Sequence, residues 1–312
     1  MNDTILMTKN LTKKYNHALA LDHINLNIER GKMYGFIGQN GAGKTTLIRL
    51  ITGLSFPTSG ELYLFGKTGK QALQEQRKRI GCMVETPALY PNMTAVQNLE
   101  VQRIQRGIPD PQVIRDTLEL VGLEDQAGSR KAVRHFSLGM RQRLGIAIAL
   151  LHDPELLILD EPINGLDPMG IAEMRVLLKR LNEERGTTIL LSSHILNELY
   201  QTVSQYILIN KGVVIEELTQ QQLNEKCKRH IALQTNDVEK ALLALENRLQ
   251  IKDFQVMPDG TVKLYDHLDD MEGISAALMQ EGVLITGMTL AGDTLESYFL
   301  HRIGGENHAR AH

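Results

Sequence analysis

The apolar residues of this chain fall into short runs that switch between two periods. Residues 33–38, MYGFIG, form a continuous apolar stretch entering a glycine-rich turn. In the following TTLIRLITGL, the residues Leu47, Leu50, Ile51 and Leu54 recur at helical spacing. The pattern predicts strand, loop, helix. FPTSGELYLFG predicts a turn and then a half-buried strand, and CMVE is a strand-like run that ends at Glu85 and breaks at Pro87 and Pro91. From residue 94 to about 151 the character is helical, through TAVQNLEVQRIQ, DPQVIRDTLELVGL and SLGMRQRLGIAIALL. Strand patterns return in ELLILDEP and TTILLSSH, separated by a helical stretch over residues 169–184. Strands that interleave with helices predict a mostly parallel sheet covered on both faces, with the helical block as an inserted subdomain.

After residue 219 the pattern restarts. HIALQ, helical DVEKALLALENRL, DFQVM, the turn PDG, TVKLY, helical MEGISAALMQEG, VLITGMTL and a closing LESYFLHR predict a small α+β domain over residues 230–303. The Asp-Gly turn between two alternating runs fixes its central hairpin. Residues 219–229 are expected as a linker and 304–312 as a flexible tail. The chain carries no internal repeat and no low-complexity segment.

Composition narrows the function classes. With 34 basic and 37 acidic residues the net charge is −3, which gives no electrostatic footprint for nucleic acid. Cys82 and Cys227 are far apart and lack metal-ligand spacing, so neither a disulfide framework nor a zinc site is expected, and a reducing cytoplasm fits best. The opening MNDTILMTKN lacks the order of a signal peptide, and no apolar run approaches the ~20 residues of a membrane span.

The chemistry begins at GQNGAGKTT. It matches G-x-x-x-x-G-K-[ST] and lies between a predicted strand and a predicted helix, the context that turns the pattern into a phosphate site. Gly38, Asn40, Gly41, Ala42, Gly43, Lys44, Thr45 and Thr46 are therefore candidate nucleotide-binding residues. Backbone N–H groups curl around phosphate oxygens, the helix N-terminus adds its dipole, Lys44 reaches the β and γ phosphates, and the Thr45 hydroxyl ligates Mg²⁺. The run LLILDEP buries a strand whose C-terminal end projects Asp160 and Glu161, on the edge where open parallel sheets bind ligands. Asp160 is placed to hold Mg²⁺ through its water shell, and Glu161 to polarise an attacking water. TTILLSSH delivers His194 to the same edge as a γ-phosphate contact. A nucleotide with Mg²⁺ is thus expected, and these features leave open which P-loop machine this is; ATP as the nucleotide follows from the resemblance below.

Residues 136–168, FSLGMRQRLGIAIALLHDPELLILDEPINGLDP, decide among P-loop machines, since NKGV lacks the aspartate of a GTPase base-reading segment. Here the chain resembles the ATP-binding cassette (ABC) family over about residues 3–217. The resemblance implies an α/β P-loop fold with a mostly parallel sheet, an antiparallel β part and a helical subdomain at about 86–151, together forming an ATP-binding domain over 1–218. In that family Ser137 and Gly139 would face a γ-phosphate bound by a second copy, so the implied assembly is a head-to-tail homodimer. NGLD, ending at Asp167, resembles the loop that connects the two ATP sites, His194 the switch histidine, and Tyr15 the aromatic that stacks on adenine. The signature segment reads F-S-L-G-M in place of L-S-G-G-Q, keeping the serine and the second glycine.

Glu85 falls where the family usually carries a glutamine, in the loop that senses the γ-phosphate and touches the membrane partner. With TPALYPNMTAVQNL after it and the trailing domain ending in LESYFL, the chain resembles the ATP-binding subunits of lantibiotic-immunity and bacitracin-resistance exporters. The resemblance implies a bacterial ATPase at the cytoplasmic face of the membrane, working with integral permease subunits and exporting a peptide antibiotic. An exporter of another substrate (drug, lipid or polysaccharide) and a soluble cassette acting on ribosomes or DNA are the alternatives. A carboxylate binds Mg²⁺ more strongly than an amide oxygen does, so Glu85 is also expected as a metal contact once Mg²⁺ and ATP are bound.

Overall fold

The computed structural model describes residues 3–16, 18–292 and 295–304. The tail expected over 304–312 lies, after Gly304, outside the described residues. Strands β1 (Thr4–Tyr15) and β2 (Ala18–Glu29) form an antiparallel hairpin. The central strand β3 (Met33–Ile37) follows and leads into helix α1 (Lys44–Thr52). Strand β4 (Ser59–Leu64) returns to pair with β1, so the first sheet has the order β2-β1-β4. Helix α2 (Lys70–Arg77) then connects to β5 (Ile80–Met83). The helical block comprises α3 (Ala95–Gln105), α4 (Gln112–Leu120) and α5 (Leu138–Leu150). Strand β6 (Leu156–Asp160), helix α6 (Pro168–Arg185), strand β7 (Thr188–Ser193), the short helix α7 (Leu196–Tyr200) and strands β8 (Gln205–Asn210) and β9 (Val213–Thr219) complete the first unit.

Strands β3, β5, β6, β7, β8 and β9 make one sheet in the order β5-β6-β7-β3-β8-β9, parallel except for the antiparallel β9. Every residue of β3, β6 and β7 is buried, as a sheet covered on both faces demands. Its register determines the site. Asp160 lies opposite Ser192, Ile37 opposite Ser193, and Met83 opposite Leu159. The C-terminal ends of β5, β6, β7 and β3 therefore stop at one level, and whatever follows each strand meets there.

Two glycines let α5 lie directly on the edge strand β5. A Cβ on Gly81 would sit 2.3 Å from the Ala149 carbonyl oxygen, and one on Gly145 would sit 2.6 Å from Pro87 and 2.7 Å from the Met83 sulfur. At Gly81 strand and helix meet backbone to backbone, and at Gly145 the helix backbone meets the side chains of Met83 and Pro87. This close approach seats the loop that carries Glu85 against α5.

The chain divides into two compact units, Met1–Gln220 and Gln221–His312. The expected linker 219–229 contains the last residue of β9 and the helix α8 (Gln220–Cys227). The second unit continues with β10 (His230–Thr235), α9 (Val238–Leu249), β11 (Phe254–Val256), β12 (Val262–Leu264), α10 (Met271–Gln280), β13 (Ile285–Ala291) and α11 (Leu295–Gly304). Its antiparallel sheet has the order β11-β12-β10-β13, the β-α-β-β-α-β arrangement of ferredoxin-like folds. Ile231, Leu233, Val262 and Leu264 from the sheet pack with Ala241, Leu245, Ile274 and Leu278 from α9 and α10. No described helix is long and apolar enough to cross a membrane.

The close seat of α5 generates a prediction. Gly81→Ala forces a methyl into the Ala149 carbonyl, and overpacking of this kind costs about 1–3 kcal/mol. Urea unfolding of the full chain should show a lowered midpoint for the cassette transition. A midpoint equal to wild type would mean that the helix does not depend on this contact.

Candidate active site

The P-loop is shaped by glycines that no other residue could replace. A Cβ on Gly38 would lie 2.3 Å from the Ile209 carbonyl oxygen, so β3 leaves the sheet flush against β8. Gly43, the N-cap of α1, has φ +112°, and a Cβ there would meet Leu21 and the Ala20 carbonyl within 3 Å. The loop is tied down by the Ala42 N–H donating to Gln39 O (3.0 Å) and the Gly212 N–H donating to Ala42 O (2.9 Å). Lys44 is 5% exposed, and its ammonium donates to Gly38 O at 2.6 Å and Gln39 O at 3.3 Å, with Glu161 Oε1 at 3.6 Å. A buried cation with only two carbonyls and one carboxylate around it is suited to an anionic ligand.

Asp160 ends β6 almost wholly buried, at 3% exposure. It accepts hydrogen bonds from two hydroxyls, Thr45 Oγ1 at 2.8 Å and Ser192 Oγ at 2.5 Å. The Thr45 hydroxyl and the Asp160 carboxylate are hard oxygen ligands from different elements that already face one point, which fits Mg²⁺. Among the described residues no group of three or more His, Cys, Asp or Glu could hold a metal by itself. Phosphate oxygens and water would have to complete the shell, as is usual for this ion.

Glu161 follows in the left-handed region, φ +52°, a conformation that costs a non-glycine residue of order 1 kcal/mol or more. It is held there because its N–H donates to Ser192 Oγ (2.9 Å) and approaches Ser192 O (3.2 Å). The turn aims its carboxylate at His194, whose Nδ1 lies 2.8 Å from Glu161 Oε2. The P-loop, Glu161 and the histidine share one cavity of about 260 Å³, lined among others by Asn40, Gly41, Lys44, Thr45, Glu161 and His194, while Asp160 touches it through its bond to Thr45. Gly38 contributes through its carbonyl to Lys44, and Ala42, Gly43 and Thr46 also line the wall.

Three other residue sets stand apart from this cavity. Glu85, at φ +60°, pairs with Arg49 of α1 and is 59% exposed at its side chain. It lines a second cavity of about 220 Å³ with Asp160, Glu161 and Asn164. Tyr15 does not line the P-loop cavity; its ring lies under the Lys13 ammonium at 4.6 Å and its hydroxyl is 3.4 Å from Ser55 Oγ. Ser137 and Asp167 are helix N-caps: Ser137 Oγ accepts from the Met140 N–H at 3.2 Å, and Asp167 Oδ1 from the Gly170 N–H at 2.8 Å. With Gly139 they line a third cavity, about 560 Å³, formed between α5 and the start of α6.

Four residues of the site carry no motif of their own. Arg49 supplies the counter-charge to Glu85 and Ser192 orients both acids. Gln142 of α5 is 8% exposed, with an Oε1 that is buried without a partner. Glu198, in α7 just after His194, has a buried Oε2 without a described partner, and burial pushes its carboxyl above the usual carboxylate range. The nearby charge of His194 opposes that rise.

Comparison with known proteins places this geometry. The family model described as ABC transporter matches residues 21–164. The bacitracin transport ATP-binding protein BcrA of Bacillus licheniformis is 44% identical over 302 residues, spanning 97% of this chain and 98% of that protein. The lantibiotic transport ATP-binding protein SrtF of Streptococcus pyogenes is 41% identical over 213 residues, 68% of this chain and 90% of that one. Among solved structures, the dimeric post-hydrolysis state of the ATP-binding cassette MJ0796 bound to ADP and Pi superposes with a TM-score of 0.63 at 28% identity. It covers 69% of this chain and 99% of its own.

Ser192 gives this site its own test. Its hydroxyl serves a buried carboxylate and a strained N–H at once, and losing a hydrogen bond to a charged group costs about 1.5–3 kcal/mol. Ser192→Ala should lower the unfolding free energy by that amount in denaturant titrations. An unchanged free energy would show that Asp160 and Glu161 are positioned without it.

Proposed function

The chain belongs to the ABC transporter family, and from that membership we propose that it is the ATP-hydrolysing subunit of a bacterial exporter protecting its cell from a peptide antibiotic. The observation that carries the substrate class is the extent of the similarity. The lantibiotic relative matches only 68% of the chain, whereas BcrA matches 97% of it and so includes the second compact unit. A bacitracin-type substrate is therefore the reading. In this reading permease subunits hold the cassette at the cytoplasmic face of the membrane, and the unit after Gln220 supports assembly.

Two copies are proposed to act head to tail. The P-loop N–H groups and Lys44 bind the phosphates of one ATP, and Tyr15 stacks on its base. Ser137, Gly139 and Asp167 are proposed to face the nucleotide held by the other copy, a reading supported by their separation from the chain's own P-loop cavity. Thr45 and Asp160 would hold Mg²⁺, which when bound neutralises charge developing on the phosphate oxygens. Glu161 acts as general base toward the attacking water. Its 2.8 Å contact with His194 supports a pairing in which the histidine orients the base and approaches the γ-phosphate.

The test is Glu161→Gln. The amide keeps the size of the side chain but takes no proton, so ATP binding should persist while turnover falls by roughly 10²-fold or more. The trapped species should have the mass of a dimer, and a cell whose only copy is this variant should lose bacitracin resistance. Near-normal hydrolysis would reject Glu161 as the base; full resistance would reject the exporter reading.

Glu85 is proposed to report loaded nucleotide to the permease. Its partner is Arg49, and a pair so exposed contributes about 0–1 kcal/mol, weak enough to exchange for a metal contact. Glu85→Gln should leave ATP affinity within about twofold while reducing resistance more than hydrolysis, because the amide removes a hard ligand without touching the P-loop. Equal resistance in both proteins across a Mg²⁺ titration would return Glu85 to a solvated surface acid.

A further inference from the structure

The cavity of about 560 Å³ opens between two helix N-termini. The first turn of α5, with its N-cap Ser137, lines one side, and the first turn of α6, with its N-cap Asp167, lines the other. Further along both helices a single guanidinium joins them. Arg143 of α5 donates from Nη2 to the Glu173 carboxylate of α6 and from Nη1 to Val121 O, 3.1 Å away at the C-cap of α4. Gly122 leaves room for the second contact, since a Cβ there would lie 2.5 Å from Arg143 Nη1. Arg180 of α6 donates to the neighbouring carbonyl, Leu120 O, at 3.2 Å, so the C-terminal end of α4 is held from both α5 and α6.

The placement of the Arg143 bond gives it a role. Arg143 stands six residues after Ser137, and Glu173 six residues after Asp167, about 9 Å along each helix. The bond therefore crosses between the helices at equal distance from the two N-caps, as a rung does. The N-cap side chains do not supply this link, because each bonds within its own helix, Ser137 Oγ to the Met140 N–H and Asp167 Oδ1 to the Gly170 N–H. A guanidinium suits the position: its planar fork takes a carboxylate and a carbonyl at once, whereas an ammonium on a flexible stem fixes neither direction. Its side chain is only 18% exposed, so the bond is less screened than one between two surface groups.

We infer that Arg143 is a positioning residue for the surface that meets the second copy. It holds the first turns of α5 and α6 at one spacing, so that Ser137, Gly139 and Asp167 present themselves to the other copy's nucleotide as one preformed face, with less ordering to be done on pairing. The inference rests on the proposed reading that these three residues face the second copy. Arg143 and Glu173 line the cavity between the helices and not the P-loop cavity, so their loss acts on pairing and leaves the chain's own ATP contacts in place.

The test uses the full chain carrying Glu161→Gln, in which ATP-bound dimers persist. ATP affinity is read with a fluorescent nucleotide at protein concentrations too low for pairing, and dimer affinity by sedimentation with saturating ATP and Mg²⁺. Arg143→Met should leave ATP affinity within about twofold and weaken the dimer about tenfold, the scale of one lost bond to a charged group. Arg143→Lys and Glu173→Gln, which each keep part of the link, should each weaken the dimer about threefold. Glu173→Gln added to Arg143→Met should cost nothing further, because the rung is already gone, and this non-additivity is what a packing role does not give. If the Met protein does not fold, Arg143→Lys with and without Glu173→Gln carries the same comparison. A Met dimer within twofold of the parent, losses that multiply in the double variant, or ATP affinity that falls in step with the dimer would overturn the inference. A Glu161→Gln chain that stays monomeric with ATP would instead overturn the two-copy reading on which it rests.

Discussion

The register of four parallel strands is the constraint on which the rest of this molecule depends. With Ile37 opposite Ser193 and Asp160 opposite Ser192, three loops of unrelated sequence begin at the same height on three neighbouring strands, β6, β7 and β3. A shift of one residue in β6 would turn Asp160 to the other face of the sheet and leave a carboxylate buried among aliphatic side chains. The cost of an unpaired buried charge thus keeps the register, and the register assembles the site. Ser192 expresses this coupling in one residue, since it is buried in β7 and serves both acids of β6.

Helix α5 turns that fixed edge into a site with two sides. Gly81 and Gly145 let it approach β5 and the Glu85 loop more closely than any residue with a Cβ would allow. A helix so placed cannot tilt without collision, so these close contacts set its N-cap Ser137 and its buried Gln142 relative to the acid pair. Its C-terminal half is buried nearly all round, from Leu144 to Leu150, which explains why its sequence lacks the amphipathic stripe of a surface helix.

The parts of this arrangement that were legible in the sequence are those carried by contiguous residues. The P-loop, the acid pair in LLILDEP and His194 each stand at the end of an apolar strand, and the structure brings the P-loop, Glu161 and His194 to one cavity. The strand and helix alternation of the core was legible for the same reason. The N-terminal hairpin was not resolved into its strands, because Asn10 and His23 sit in left-handed turns and the β1–β2 pairing shifts register repeatedly, which breaks the alternation of apolar positions. Strands β8 and β9 and helix α2 also went unassigned, the last because it buries no residue at all. Arg49, Ser192 and Gln142 escaped because their chemistry depends on which elements become neighbours.

Strain and exposure divide the acids of the site by what they must do. Glu85 and Glu161 both hold a left-handed backbone, yet their surroundings differ. Glu161 is fixed by two hydrogen bonds to its N–H and by partners on either side of its carboxylate, with a side chain 23% exposed. Glu85 has one ion pair, with a side chain 59% exposed, so solvent screens the attraction and competes for both groups. A residue held by many short contacts keeps one geometry, which suits the role of base proposed for Glu161. A residue held by one screened contact changes partner for little free energy, which suits the reporting role proposed for Glu85. The same backbone conformation therefore serves opposite ends, and the number of partners decides which.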